Sequence, residues 1–229
     1  MIGRDVELVI VDDAKEVASV TAARLARVAR EGGSVVLTGG KTPQQAYGQA
    51  AREAPDWSNV ELWWGDERCV PPDDPDSNYG MVRKALLDKL ERAPRAVHRI
   101  KGELGKEQAA EDYERELDDA RFVLLLLGIG PDGHIASLFP KAPTLRQRKR
   151  VLPAEPGWEP YVDRVTLSLP TIRSASEILF VVSGLEKADA ARRAFVGEPS
   201  DETPASLVRA ASGRTTAILD RGAAAELEG

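Results

Sequence analysis

Short runs of aliphatic and β-branched residues alternate along the chain with stretches whose apolar positions recur every three to four residues. Residues 6–11 (VELVIV) have the first character and stop at Asp12 and Asp13, acidic residues suited to capping a helix. Ala14, Val17, Ala18, Leu25, Val28 and Ala29 then follow at helical spacing until Gly32-Gly33. The pattern predicts further strands over 35–37, Val60–Trp64, Phe122–Leu127, 165–167, 178–182 and 215–219. It predicts helices opening at Thr42-Pro43, where proline suits a first turn, and over 78–90, Lys106–Leu117 and 187–195. Phe122–Leu127 (FVLLLL) has no polar position, the mark of a central strand covered on both faces. Strands alternating with helices point to an α/β fold, a mostly parallel sheet with helices on both sides. No internal repeat or flexible linker interrupts the pattern, so residues 1–229 are expected to form a single domain. The stretch 140–160 carries five prolines and reads as a long irregular loop, placed to pack over a site.

Composition narrows the classes. With 30% charged and 42% hydrophobic residues the chain has ordinary globular usage. Its net charge of −6 argues against a nucleic-acid footprint, which needs surplus Lys and Arg. The short cluster at 146–150 (RQRKR) reads as a solvated loop. Cys69 is the lone cysteine, so no intrachain disulfide forms and a reducing compartment fits. The N-terminal run is neither a signal peptide nor a membrane span, and a cytoplasmic protein without membrane contact is expected. A monomer or weak homo-oligomer fits the same reading.

Three segments at predicted strand ends could carry chemistry. Thr38-Gly39-Gly40-Lys41-Thr42-Pro43 joins a strand to a helix, and such a turn lets backbone N–H groups and a helix N-terminus meet an anion. It is not a P-loop, because the first glycine of that motif would fall at Val35. Gly128, Gly130 and Gly133 match G-x-G-x-x-G, but Pro140 and Pro143 follow where a dinucleotide turn needs a long helix. The segment is better read as a loop at a strand's carboxyl end that presents Asp132 and His134. Histidine titrates near neutrality and is the commonest general base. Trp64-Gly65-Asp66-Glu67-Arg68 places two carboxylates and a guanidinium at another strand end, and arginine matches phosphate geometry. Arg164 opens a strand and Lys187 begins a helix after Gly184, either of them a candidate phosphate ligand or a plain surface charge. No Cys/His cluster has zinc spacing, and Ser137 and Ser168 lack the elbow of a serine hydrolase. His98 stands outside any motif.

In order and spacing, TGGKTP at 38–43, WWGDERCVP at 63–71 with Ser77-Asn78, and GIGPDGHIASLFP at 128–140 together resemble the 6-phosphogluconolactonase family. RVTLSLP at 164–170, GLEKA at 184–188, Pro204-Ala205-Ser206 and Asp220 extend the resemblance through the last third. It implies a Rossmann-like three-layer α/β/α fold, shared with glucosamine-6-phosphate deaminases and ribose-5-phosphate isomerases. It implies hydrolysis of 6-phospho-D-glucono-1,5-lactone to 6-phospho-D-gluconate in the oxidative pentose phosphate pathway, with no cofactor and no metal. Residue by residue it implies a catalytic His134, Asp66 beside the reacting sugar, and Asp132 orienting the histidine. Arg68, Arg164 and Lys187, with the loop Gly39, Gly40, Lys41 and Thr42, take the phosphate-gripping positions. Lys41, Ile135 and Arg173 depart from the family's usual Ser or Thr, Thr, and Asn. Two alternatives compete. A glucosamine-6-phosphate deaminase-like enzyme carries a glutamate where this chain has Phe139. A non-catalytic sugar-phosphate sensor needs a DNA-binding segment, for which 229 residues filled by the core leave no room.

Overall fold

The computed structural model describes residues 6–227. Its strands are β1 (Glu7–Val11), β2 (Gly33–Leu37), β3 (Val60–Trp64), β4 (Asp66–Arg68), β5 (Ala96–His98), β6 (Phe122–Leu127), β7 (Val151–Ala154), β8 (Arg164–Leu167), β9 (Glu177–Val182) and β10 (Arg214–Asp220). Its helices are α1 (Ala14–Glu31), α2 (Lys41–Glu53), α3 (Asn78–Ala85), α4 (Lys106–Leu117), α5 (Leu169–Arg173) and α6 (Ala188–Phe195). Seven strands form one sheet in the order β1-β10-β9-β6-β2-β3-β5, parallel throughout. A second, antiparallel sheet in the order β4-β8-β7 stands beside it.

Local chemistry explains where the elements begin and end. The Asp13 carboxylate accepts from the Glu16 N–H at 3.0 Å, while Glu16 accepts from the Asp12 N–H at 2.9 Å, so α1 opens on a reciprocal cap. It closes at Gly32, whose φ of 85° lies in the left-handed region. Val17, Ala22, Leu25 and Ala26 bury one face of the helix in an apolar core that continues through the main sheet. β6 lies fourth of seven strands, and Leu124 to Leu127 are buried. Val123, near its start, remains 38% exposed, so the coverage expected on both faces is incomplete there.

Several expectations need correction. The helix expected over 78–90 stops at Ala85, and a 3-10 turn, Leu87–Lys89, follows. The strand at 165–167 lies in the small antiparallel sheet, not in the main one. The loop expected over 140–160 contains a 3-10 turn, Pro143–Arg146, and the strand β7.

The winding fixes where a site can form. From β2 the chain moves outward to β3 and β5, then returns to β6 on the other side of β2 and proceeds to β9 and β10. The order reverses between β2 and β6, and open α/β sheets leave a crevice at the carboxyl ends of such a pair. The loops that follow β2, β3 and β6 carry the three segments singled out in the sequence.

Candidate active site

Those loops surround one cavity of about 740 Å³. Gly39 to Thr42, Asp66, Arg68, His134, Arg164 and Lys187 all line it, although they are drawn from segments far apart along the chain. Two buried tyrosines brace the strand ends beneath. The Tyr47 hydroxyl donates to the Thr38 carbonyl at 2.7 Å and accepts from the Thr38 N–H, and Tyr113 does the same for Trp64 at the end of β3. Burial raises both phenol pKa values well above the ordinary range, so both stay protonated as donors.

The loop after β6 is built around the histidine. A Cβ on Gly130 would stand 2.0 Å from His134 Nδ1, so only glycine admits the ring there. Gly133 turns with a φ of 93°. Asp132 Oδ1 lies 2.6 Å from His134 Nδ1 and accepts from the His134 N–H at 3.0 Å. Burial alone would raise the Asp132 carboxyl, but the hydrogen bond and charge of His134 outweigh it and hold the pKa below the usual range. The carboxylate thus fixes the proton on Nδ1 and leaves Nε2 as the basic nitrogen. Asp132 itself stands behind the ring and not in the cavity wall.

The short strand β4 supplies the second group of residues. It pairs with β8 so that Arg68 faces Arg164 across the ladder and Asp66 faces Thr166. The Asp66 carboxylate is buried and accepts from the Ser137 hydroxyl at 2.7 Å. Asn78, at the start of α3, donates to the Asp66 carbonyl at 3.0 Å and accepts from Arg68 Nη1 at 3.1 Å. Arg164 Nη2 donates to the carbonyls of Trp158 and Pro160 at 2.7 and 2.9 Å. The Nε of Arg68 and the Nε of Arg164 are buried without a partner. Two like charges opposite each other with unspent donors are costly unless an anion completes them.

Glu67 faces the other way. It accepts from the N–H groups of Arg68, Asn78 and Tyr79 at 2.7–2.8 Å and from the Ser77 hydroxyl, so it anchors the start of α3. Burial pushes its carboxyl up to about 7, against the pull of those donors. On the opposite wall, Lys187 forms no ion pair with any described residue, and burial lowers its ammonium pKa from the ordinary range. Thr42 and Ser183 share a hydrogen bond of 2.6 Å, which ties the glycine loop to the segment leading to Lys187. Gly40, with φ 110°, caps α2 without a side chain, so the first N–H groups of this thirteen-residue helix are open to a ligand.

Asn78, Ser137 and Ser183 were not predicted as site residues, and Glu67, one of the two carboxylates singled out in the sequence, braces α3 instead of lining the cavity. Ser77-Asn78 stood in a recognisable segment, but nothing in its spacing shows that the amide joins Asp66 to Arg68. His98 lies apart from the cavity, stacked on Trp63 at 3.8 Å and bonded to Glu116.

A histidine–aspartate pair at the switch point of a parallel sheet, with guanidinium and ammonium groups around it, defines a Rossmann-like α/β protein built to hold an anionic ligand against a base. The sequence profile of the glucosamine-6-phosphate isomerases/6-phosphogluconolactonase family matches residues 10–217, and the chain belongs to that family. It is 38% identical to the 6-phosphogluconolactonase of Streptomyces coelicolor, with 96% of this chain and 94% of that protein covered. It is 37% identical to that of Mycobacterium leprae, with 96% and 98% covered. Among solved structures, the 6-phosphogluconolactonase of Thermotoga maritima superposes with a TM-score of 0.84 at 29% identity, covering 94% of this chain and all of that one. A monomeric glucosamine-6-phosphate deaminase shares the fold, with a TM-score of 0.83 at 24% identity and 96% and 99% covered.

Proposed function

We propose that this protein hydrolyses 6-phospho-D-glucono-1,5-lactone to 6-phospho-D-gluconate, the reaction of the oxidative pentose phosphate pathway for which its relatives are named. The observation that carries the reading is the His134–Asp132 pair, held at 2.6 Å and opening on the cavity that Arg68, Arg164 and Lys187 also line. His134 Nε2 takes a proton from water as the water oxygen bonds to the lactone carbonyl carbon. The tetrahedral intermediate then breaks its ring C–O bond, and the imidazolium returns the proton to the departing ring oxygen. One water is consumed and a hydroxy acid results, with no covalent enzyme intermediate. Asp66, fixed by Ser137 and Asn78, stands beside the sugar. The phosphate is held by the guanidinium groups of Arg68 and Arg164 that line the cavity, by Lys187, and by the N–H groups of Gly40, Lys41 and Thr42. Its binding energy orients the remote ester.

Phe139 favours hydrolysis over the deaminase alternative. Its ring lies 4.9 Å from the His134 ring, so an apolar side chain occupies the place where a relay carboxylate is needed. A non-catalytic sensor gives no reason for a base so firmly oriented by Asp132. The proposal includes action in the cytoplasm, as a monomer or weak homo-oligomer, on a small-molecule substrate. No described helix is long and apolar enough to cross a membrane.

The test is coupled hydrolysis. Glucose-6-phosphate dehydrogenase generates the lactone in place, and its decay is followed with and without the protein, each with a chelator present. Fast, chelator-resistant decay is expected. Decay at the spontaneous rate would reject the lactonase reading, and decay abolished by the chelator would reject its metal-free form.

A further inference from the structure

We infer that Trp158 is a substrate-facing residue, an aromatic platform against which the sugar ring lies while its carbonyl meets His134. The inference rests on the lactonase reading of the cavity. Trp158 lines that cavity, with its ring centroid 5.9 Å from that of His134 and the planes tilted by 41°. Yet it is 41% exposed, whereas Trp57, Trp63 and Trp64 are all buried. A large aromatic face left open beside a catalytic base suits the apolar C–H face of a sugar, and its indole N–H suits a hydroxyl.

The segment that carries Trp158 is held in place, not merely draped over the site. Lys106 bonds Glu155 at 2.6 Å and Asp163 at 3.1 Å, so one ammonium clasps both feet of the segment. The Asp163 carbonyl also accepts from the Cys69 N–H. At Gly157 a Cβ would fall 2.4–2.7 Å from the Phe139 ring, so the backbone lies directly on that ring, which itself packs on His134. Arg164 holds the carbonyls of Trp158 and Pro160, and its guanidinium lies 5.7 Å over the Phe139 ring. The same arginine therefore borders the cavity and fixes the backbone of Trp158. An anion drawn to its guanidinium would contact a group already tied to the platform, which links phosphate binding to the placement of the sugar ring.

The experiment compares wild type, Trp158→Phe and Trp158→Ala. Trp158→Ala should raise KM for the phosphorylated lactone about tenfold or more, with kcat within about threefold. Trp158→Phe, which keeps an aromatic face, should recover most of the loss. Because the other tryptophans are buried, acrylamide quenching of intrinsic fluorescence reports Trp158. Saturating 6-phosphogluconate should protect wild type from quenching and leave Trp158→Phe unchanged. Wild-type KM in an active Trp158→Ala variant, or product binding that leaves quenching unaltered, would overturn the inference. Failure of the lactonase reading has a different signature, a wild-type protein with no turnover. If that protein also shows no protection by 6-phosphogluconate, the platform is rejected with it; if protection remains, the platform stands as part of a binding site alone.

Discussion

Substituting Gly39 by alanine tests whether the glycine loop, Asn78 and the β4 residues act as one unit. The new Cβ would lie 2.2 Å from Asn78 Oδ1 and 3.0 Å from its Cγ, about an ångström too close. Gly39 does not occupy the left-handed region, so the cost is steric and not conformational. Asn78 is buried, and its two ends are engaged by the Asp66 carbonyl and Arg68 Nη1. It can retreat only by giving up one of them. Overpacking a rigid site costs about 1–3 kcal/mol, and a lost hydrogen bond to a charged group costs a similar ~1.5–3 kcal/mol. If about half of that falls on the transition state, kcat/KM drops roughly tenfold to a hundredfold. The part that falls on folding lowers Tm by about 2–4 °C per kcal/mol for a chain of this size. The assay is a double-mutant cycle of Gly39→Ala and Asn78→Ala, read by lactone hydrolysis and calorimetry. In the Asn78→Ala background the clash is gone, so Gly39→Ala should add little. Equal loss in both backgrounds would show that the alanine harms the loop by another route and would refute the linkage.

The remaining predictions concern proton positions. His134→Ala should lower kcat by about 10²–10⁴-fold while 6-phosphogluconate still binds, and normal turnover in that variant would remove His134 from the mechanism. Lys187 must be charged to hold phosphate, and burial lowers its pKa, so kcat/KM should fall on the alkaline side before the ordinary lysine range is reached. Lys187→Arg should push that limb to higher pH; an unmoved limb would assign it to another group. Glu67→Gln turns an amide N–H₂ toward backbone N–H donors and should destabilise the fold by about 1–3 kcal/mol, read as a lowered Tm. With its folded pKa raised to about 7, Glu67 contributes stability that is present at acid pH and lost as pH rises through that value. The Glu67→Gln variant should lack this step in stability against pH.

Much of the main sheet was legible because buried parallel strands leave continuous apolar runs, as at Phe122–Leu127, and because helix ends leave capping residues, as at Asp13 and Gly32. β4 was not legible. It has three residues, all of them charged, two acidic and one basic, and no apolar period to betray it. Its partner β8 was recognised as a strand, but nothing in the sequence marked a second, antiparallel sheet, since period alone carries no pairing. The approach of Arg68 to Arg164 follows from that pairing and was therefore out of reach. Asn78, Ser137 and Trp158 were hidden for a related reason. Each acts through a contact 12 to 71 residues distant along the chain, which no local pattern reveals.

The small antiparallel sheet explains why so ordinary a sheet edge could be made into a site. The main sheet supplies His134 and the glycine loop at its switch point, as any doubly wound fold does. What it cannot supply is a wall on the open side of the crevice. The β4–β8 ladder builds that wall, bringing Asp66, Arg68 and Arg164 in from two distant segments at a register set by backbone hydrogen bonds. The cost is two arginines opposite each other on the ladder, offset by Asp66 nearby and, in the proposed function, by the phosphate. In the proposed function the phosphate is therefore more than an anchor, since its charge would offset the two arginines that the register sets opposite each other. Arg164 also bonds the Trp158 and Pro160 carbonyls, so in the proposed function the group that would meet the phosphate also holds the segment placed against the reacting ring.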